Sequence, residues 1–273
     1  MDYQGKVAVV TGGGSGIGRA LAQAFARRGA RIVLADIEKP ALDAVAAELE
    51  RAGSQVLAQR VDVADPRQVA RLADSVYEAF GAVHVLCNNA GVAVGGRIKD
   101  LSLEEWNWAL GVNLFGVIHG LHAFLPRMLA GGEPGHIVNT ASLAGMMSMA
   151  GLTPYSASKY AVVAISEGLA MECAGSNLGV SVVCPGWVKT RIAESDRHAG
   201  PEIPARPLTQ EAQMLKGVLR AVIDSGTDPD EIAQRVLEGI DQRALYIFPN
   251  SGNLFDPVRA RFANILAAGT PRA

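Results

Sequence analysis

The chain has 273 residues and a formal net charge of −2, with 49% apolar and 19% charged residues. That is enough apolar material for a sizeable core and too little charge for a disordered chain, and the balanced signs argue against recognition of nucleic acid through a basic surface. Glycine is the outlier, at 30 residues against a usual ~7%, and without the every-third-residue period of collagen.

Taken in chain order, short apolar runs fall at 6–11, 31–36, 55–63, 83–88, 136–141, 180–184 and 245–248. They are rich in Val, Ile and Leu without clean alternation, which suits strands buried on both faces. Helical stretches lie between them. Asp65-Pro66-Arg67-Gln68 supplies a cap and a proline at the first helical position, and Ser102…Glu105 and Asp228…Glu231 follow the capping-box pattern. The alternation predicts one α/β domain over 1–273, a doubly wound sheet of about seven parallel strands with helices on both faces. Residues 186–226 break the rhythm. They show no strand pattern, carry Pro201, Pro204 and Pro207, and are close to neutral. They read as a substrate-binding lid inserted in that domain.

Three dispersed cysteines, Cys87, Cys173 and Cys184, form no CxxC pair. This fits a reducing, cytoplasmic setting rather than a disulfide or zinc scaffold. No secretory signal pattern or membrane span is expected; the nearest apolar candidate, 143–158, contains Ser, Thr, Tyr and Pro.

The glycines concentrate where chemistry is expected. Thr11-Gly12-Gly13-Gly14-Ser15-Gly16-Ile17-Gly18 follows the first run and opens a helix. Such a turn lets backbone approach a ligand, and the helix N-terminus favours a pyrophosphate. Asp36 ends the second run, 18 residues after Gly18. A carboxylate there can accept from a ribose 2′-hydroxyl and repels a 2′-phosphate. Asp62 closes the third run, placed to meet an adenine amino group. The alternative for either Asp is a turn or cap residue.

Tyr155 and Lys159 open a long apolar helix over 155–173 and share a face, four residues apart. A nearby ammonium lowers a phenol's pKa from ~10, so the pair is a candidate acid–base for an alcohol oxygen. Ser142, 13 residues upstream, can hold the same oxygen. Asn113 can orient a water that relays protons from Lys159.

These motifs, with Asn88-Asn89-Ala90-Gly91 and Pro185-Gly186, make the chain resemble the short-chain dehydrogenase/reductase family over nearly its whole length. The resemblance implies a Rossmann-type fold. It implies Tyr155 as acid–base, Ser142 as anchor of the substrate oxygen, Lys159 as both pKa-lowering group and ribose ligand, and Asn113 as holder of a relay water. It places Gly12, Gly14, Ser15, Gly16, Ile17, Gly18, Asp36, Ile37, Asp62, Val63, Asn89, Ala90, Gly91, Pro185, Gly186, Val188 and Thr190 at the cofactor. Asn89 falls near the adenine ribose, and Val188 and Thr190 on the nicotinamide carboxamide. Ser15 and Ile37 occupy positions that are often basic in NADP-using members, so NAD is the expected cofactor.

The expected pocket is mostly apolar: Val94, Ala144, Met149, Leu152 and Trp187, with lid residues such as Met214 and Leu215. The expected substrate is a small molecule, a hydrophobic secondary alcohol or its ketone, of bulky aryl or alicyclic type. No metal, nucleic-acid or membrane partner is expected, and the resemblance implies a homotetramer or dimer. The rival readings are a 3-oxoacyl-carrier-protein reductase and a non-catalytic NAD-sensing regulator. Trp106 and Trp108 read as packing residues.

Overall fold

The computed structural model describes residues 1–201, 203, 210–250 and 253–269. All seven expected strands are present: β1 Val7–Thr11, β2 Arg31–Asp36, β3 Val56–Arg60, β4 Val85–Asn88, β5 Gly135–Thr140, β6 Leu178–Val183 and β7 Tyr246–Ile247. They form one sheet in the order β3-β2-β1-β4-β5-β6-β7, and every pairing is parallel. The order reverses between β1 and β4. In such a Rossmann-type sheet a crevice opens there, at the carboxyl ends of the strands.

The helices are α1 Gly16–Arg27, α2 Lys39–Arg51, α3 Pro66–Phe80, α4 Leu103–Leu110, α5 Gly116–Gly131, α6 Thr153–Glu172, α7 Gln210–Asp224, α8 Pro229–Asp241 and α9 Asp256–Gly269. Along β1, Ala8 and Val10 pack with Leu21 and Phe25 of α1 and Ile232 and Val236 of α8. Val7 and Val9 pack with Leu72 of α3, Phe124 of α5 and Leu169 of α6. Both faces are covered, so both sets of strand residues are apolar and no polar alternation survives. Burying a Leu or Phe side chain fully contributes roughly 1.5–3 kcal/mol.

The helix starts obey their caps. Asp65 accepts from Arg67 N at 2.9 Å. Ser102 and Glu105 bond reciprocally at 3.2 and 2.8 Å. Asp228 accepts from Asp230 N at 3.0 Å. Among the described residues, the helical stretch long and apolar enough to cross a membrane is not 143–158 but Leu103–Gly131. Its Val117, Gly120, Phe124 and Met128 are buried, and Phe124 and Met128 pack into the core beneath the sheet.

His136 of β5 is 2% exposed. Its Nε2 lies 2.8 Å from Ser181 Oγ, whose own hydrogen goes to Ala244 O at 2.6 Å, so the ring donates. Burial pushes its pKa down to about 4. The native state therefore prefers neutral imidazole, while the unfolded chain takes up a proton near its usual ~6.5. Stability from this group is complete above pH ~6.5 and falls as pH drops toward 4, by about 3 kcal/mol. Urea midpoints measured across that window should fall on acidification, and His136→Gln should flatten that slope.

Candidate active site

β1 ends at Thr11 and α1 begins at Gly16. Thr11 Oγ1 accepts from Asn89 N at 2.9 Å and Ala90 N at 3.1 Å, which ties the end of β1 to that of β4. Gly12 has φ +65°, and a Cβ at Gly18 would stand 2.0 Å from the Gly12 carbonyl oxygen. Only glycine lets α1 seat this close to the turn. Ser15, at the N-cap, makes no side-chain cap bond. The first-turn N–H groups of α1 thus keep their capacity for an anion.

Asp36 braces the same turn. Its Oδ2 accepts from Gly14 N and its Oδ1 from Glu38 N, both at 2.9 Å. A carboxylate offers about four acceptor positions, so two remain for ribose hydroxyls. Asp62 Oδ1 accepts from Ala64 N at 2.9 Å. Both aspartates therefore hold turns, and both also face the cavity.

That cavity, of about 1020 Å³, runs along the carboxyl edge of the sheet from Gly12, Asp36 and Asp62 to Ser142, Tyr155 and Trp187. Of the residues expected at the cofactor, all but Gly14 and Gly18 line it. Gly14 faces a smaller recess beside the turn, and Gly18 packs on Gly12. Ala144, Met149, Leu152 and Trp187 line the other end. Val94 is 5% exposed and does not line the cavity. Met214 is 67% exposed. The Leu215 side chain, Pro204 and Pro207 lie outside the described residues. The glycine turn, the Asp36 acceptor positions and the cavity volume fit a dinucleotide.

At the chemical end, Ser142 Oγ accepts from Ala144 N at 3.1 Å. Burial pushes the Tyr155 phenol above its usual range, and a hydrogen bond with Ser142 partly opposes that rise. This differs from the expectation that Lys159 lowers it. Lys159 Nζ lies 5.6 Å from the Tyr155 ring centre and donates to Thr140 O at 2.8 Å. Its own pKa is pushed down to about 8 by burial. Loss of hydration is the largest influence on both groups.

Asn113 sits in a π-helical turn, Gly111–Phe115, between α4 and α5. It is 0% exposed. Its Oδ1 accepts from Val92 N at 2.7 Å, and its Nδ2 donates to Val92 O at 2.9 Å and Ser158 Oγ at 3.1 Å. Ser158 Oγ in turn donates to Tyr155 O at 2.6 Å. Both amide donors are spent on protein, so only oxygen acceptors remain for the expected relay water. The side chain's evident work is to brace the first turn of α6. A Cβ on Gly91 would lie 3.3 Å from Asn113 Oδ1 and 3.5 Å from Lys159 Nζ, so the two groups converge there.

The short chain dehydrogenase family matches residues 6–200. The chain is a short-chain dehydrogenase/reductase. A crystal structure of a short-chain dehydrogenase/reductase from Burkholderia phymatum, in complex with NAD, superposes with a TM-score of 0.95 at 39% identity, covering 100% of this chain and 98% of that one. The C alpha-dehydrogenase of Sphingobium sp. strain SYK-6 is 38% identical over 91% of this chain and 81% of its own length. The 1-deoxy-11-beta-hydroxypentalenate dehydrogenase of Streptomyces exfoliatus is 37% identical over 92% and 85%. This short-chain dehydrogenase/reductase is thus an oxidoreductase of alcohol and ketone substrates that uses a nicotinamide cofactor.

Several residues at the dehydrogenase/reductase site were invisible to the motifs. Trp108, read as packing, lines the cavity with Asn107 and Val112. Asn250 Oδ1 accepts from Gly186 N at 2.7 Å, and its Nδ2 donates to Thr227 Oγ1 at 2.7 Å, fixing the loop after β6. Glu38, Arg191, Arg197 and His198 meet over the cleft. For Trp108, helical spacing with Gly111 and Val112 was an available signal; for the others there was none, because their partners are distant in sequence.

Proposed function

We propose that the enzyme oxidises a hydrophobic secondary alcohol to its ketone, and catalyses the reverse reduction, with NAD(H) as cofactor. One observation carries this reading: Ser142, Tyr155 and Lys159 converge at the apolar end of the same cavity whose other end holds the glycine turn and Asp36. When bound, the nicotinamide supplies the hydride acceptor. Tyr155 takes the alcohol proton as the carbon loses its hydride, and returns it in the reverse direction. Ser142, which lines the cavity beside Tyr155, holds the substrate oxygen. Lys159 keeps an ammonium beside the ring and favours the phenolate as charge develops. Asn113 and Ser158 keep the first turn of α6 in place. Asp36 selects the unphosphorylated ribose.

The apolar end is lined by Leu143, Met147, Met149, Leu152, Trp187 and Ile192, which supports a hydrophobic substrate. Segment 186–226 contributes Ile192 and Ser195, and from α7 Leu219 and Ile223, in keeping with a lid. An absorbance screen at the reduced-nicotinamide band, over aryl, alicyclic and short polar secondary alcohols, tests the reading. Turnover with NAD should be greatest for the bulky apolar alcohols. Turnover confined to 3-oxoacyl thioesters with NADPH would sink it.

A further inference from the structure

Beyond Val188 the chain forms a strap that crosses the cleft. Its Ile192–His198 stretch is a short 3-10 helix. Basic groups on the strap reach to Glu38, which sits between β2 and α2. Arg191 Nη1 and Arg197 Nε each lie 3.5 Å from the Glu38 carboxylate, and His198 Nε2 lies 3.4 Å from it. The Glu38 side chain is 26% exposed, so this cluster is partly shielded from water. A second tie holds the opposite bank. Ser195 is 3% exposed; its Oγ accepts from Ala93 N at 3.0 Å and donates to Ile192 O at 2.6 Å. Glu38, Ser195 and the three basic residues all line the large cavity.

The two ties differ in kind. Ser195 is fastened by a buried hydrogen bond. The Glu38 tie is ionic and is the one that spans toward the ribose bank. Asp36, the neighbouring carboxylate, already serves the Gly14 and Glu38 amides. Arg191 and Arg197 are also held on the strap side: Arg191 Nε donates to Glu194 at 3.2 Å, and Arg197 Nη1 donates to Arg191 O and Glu194 O at 3.0 and 2.8 Å. The arginine pair is therefore held ready on the strap for an anion across the cleft; burial lowers the His198 pKa, so the positive charge of the cluster rests on Arg191 and Arg197.

We propose that Glu38 is a positioning residue that latches this strap over the bound dinucleotide and sets the rate at which the cofactor leaves. The proposal rests on the dinucleotide reading of the cleft. A cofactor lying between the glycine turn and Trp187 passes beneath the strap, and the ionic tie must part before it escapes. The latch is electrostatic, so its strength falls as salt rises.

Stopped-flow release of NADH, chased by excess NAD, tests it. Glu38→Gln should release NADH about fivefold faster than the wild type, as expected for a partly shielded ion pair. Release from the wild type should quicken with salt, and release from Glu38→Gln should respond little. Arg197→Gln should resemble Glu38→Gln, and the double variant should be no faster than either single one. Glu38→Asp, which keeps the charge, should restore most of the slow release. Unchanged release in Glu38→Gln overturns the latch. So do additive effects in the double variant, which would show Glu38 contacting the cofactor by itself. Failure of the wild type to bind NADH would overturn the dinucleotide reading itself, and the latch with it.

Discussion

Tyr155→Phe should lower turnover on any accepted alcohol by about a thousandfold, within the range general acid–base catalysis supplies. The substitution removes one oxygen from a buried site and leaves the ring to pack as before. NADH binding, followed by fluorescence titration, should change little, so the loss should fall on kcat. The wild type should also show a characteristic pH dependence. Burial raises the Tyr155 pKa, so phenolate is scarce near neutrality and grows as pH rises. Oxidation, which needs the phenolate, should accelerate toward alkaline pH. Reduction, which needs the phenol, should slow over the same range. Normal turnover by Tyr155→Phe would remove the acid–base assignment.

The second large effect is expected at Asp36. The wild type should bind NADH more tightly than NADPH, because a carboxylate that accepts from ribose hydroxyls repels a 2′-phosphate. Asp36→Ala should weaken NADH binding by roughly ten- to a hundredfold, the range for hydrogen bonds to a charged group. NADPH should lose far less, so the ratio of the two dissociation constants should shift toward NADPH. A modest fall in melting temperature should accompany this, since Gly14 N and Glu38 N lose their acceptor. Titration of both cofactors against both proteins checks the point. An NADPH affinity equal to or above that for NADH in the wild type would refute the role given to Asp36.

Much of the architecture was legible in the chain because parallel strands buried on both faces are predominantly apolar. The run expected at 55–63 nonetheless yields a strand of only Val56–Arg60, because Asp62 turns the chain by accepting from Ala64 N. The caps at Asp65 and Ser102 were readable because capping is local. The π turn that seats Asn113 was not. Nothing in Gly111–Phe115 marks a wider turn, which is held by the Asn113 bonds to Val92 and Ser158 far along the chain.

The site divides in the same way. The residue types at strand ends, from Gly12 and Asp36 to Ser142, could be placed from spacing, because each strand's carboxyl end arrives at one edge, and Tyr155 from its four-residue spacing to Lys159 on α6. Their electrostatics could not. Spacing put Lys159 beside Tyr155 and suggested a lowered phenol, whereas burial raises the phenol and lowers the ammonium. Val94 fell near the right motifs and still does not line the cavity.

The chain by itself thus determined the sheet, the glycine turn and the candidates for the reacting groups. These depend on local pattern and on short spacings within a strand or a helix. Only the tertiary structure decided which water is removed from Tyr155 and Lys159, what Asn113 holds, and that Arg191, Arg197 and His198 close on Glu38. Those outcomes depend on burial and on contacts between segments far apart in sequence, where no periodicity records the partner.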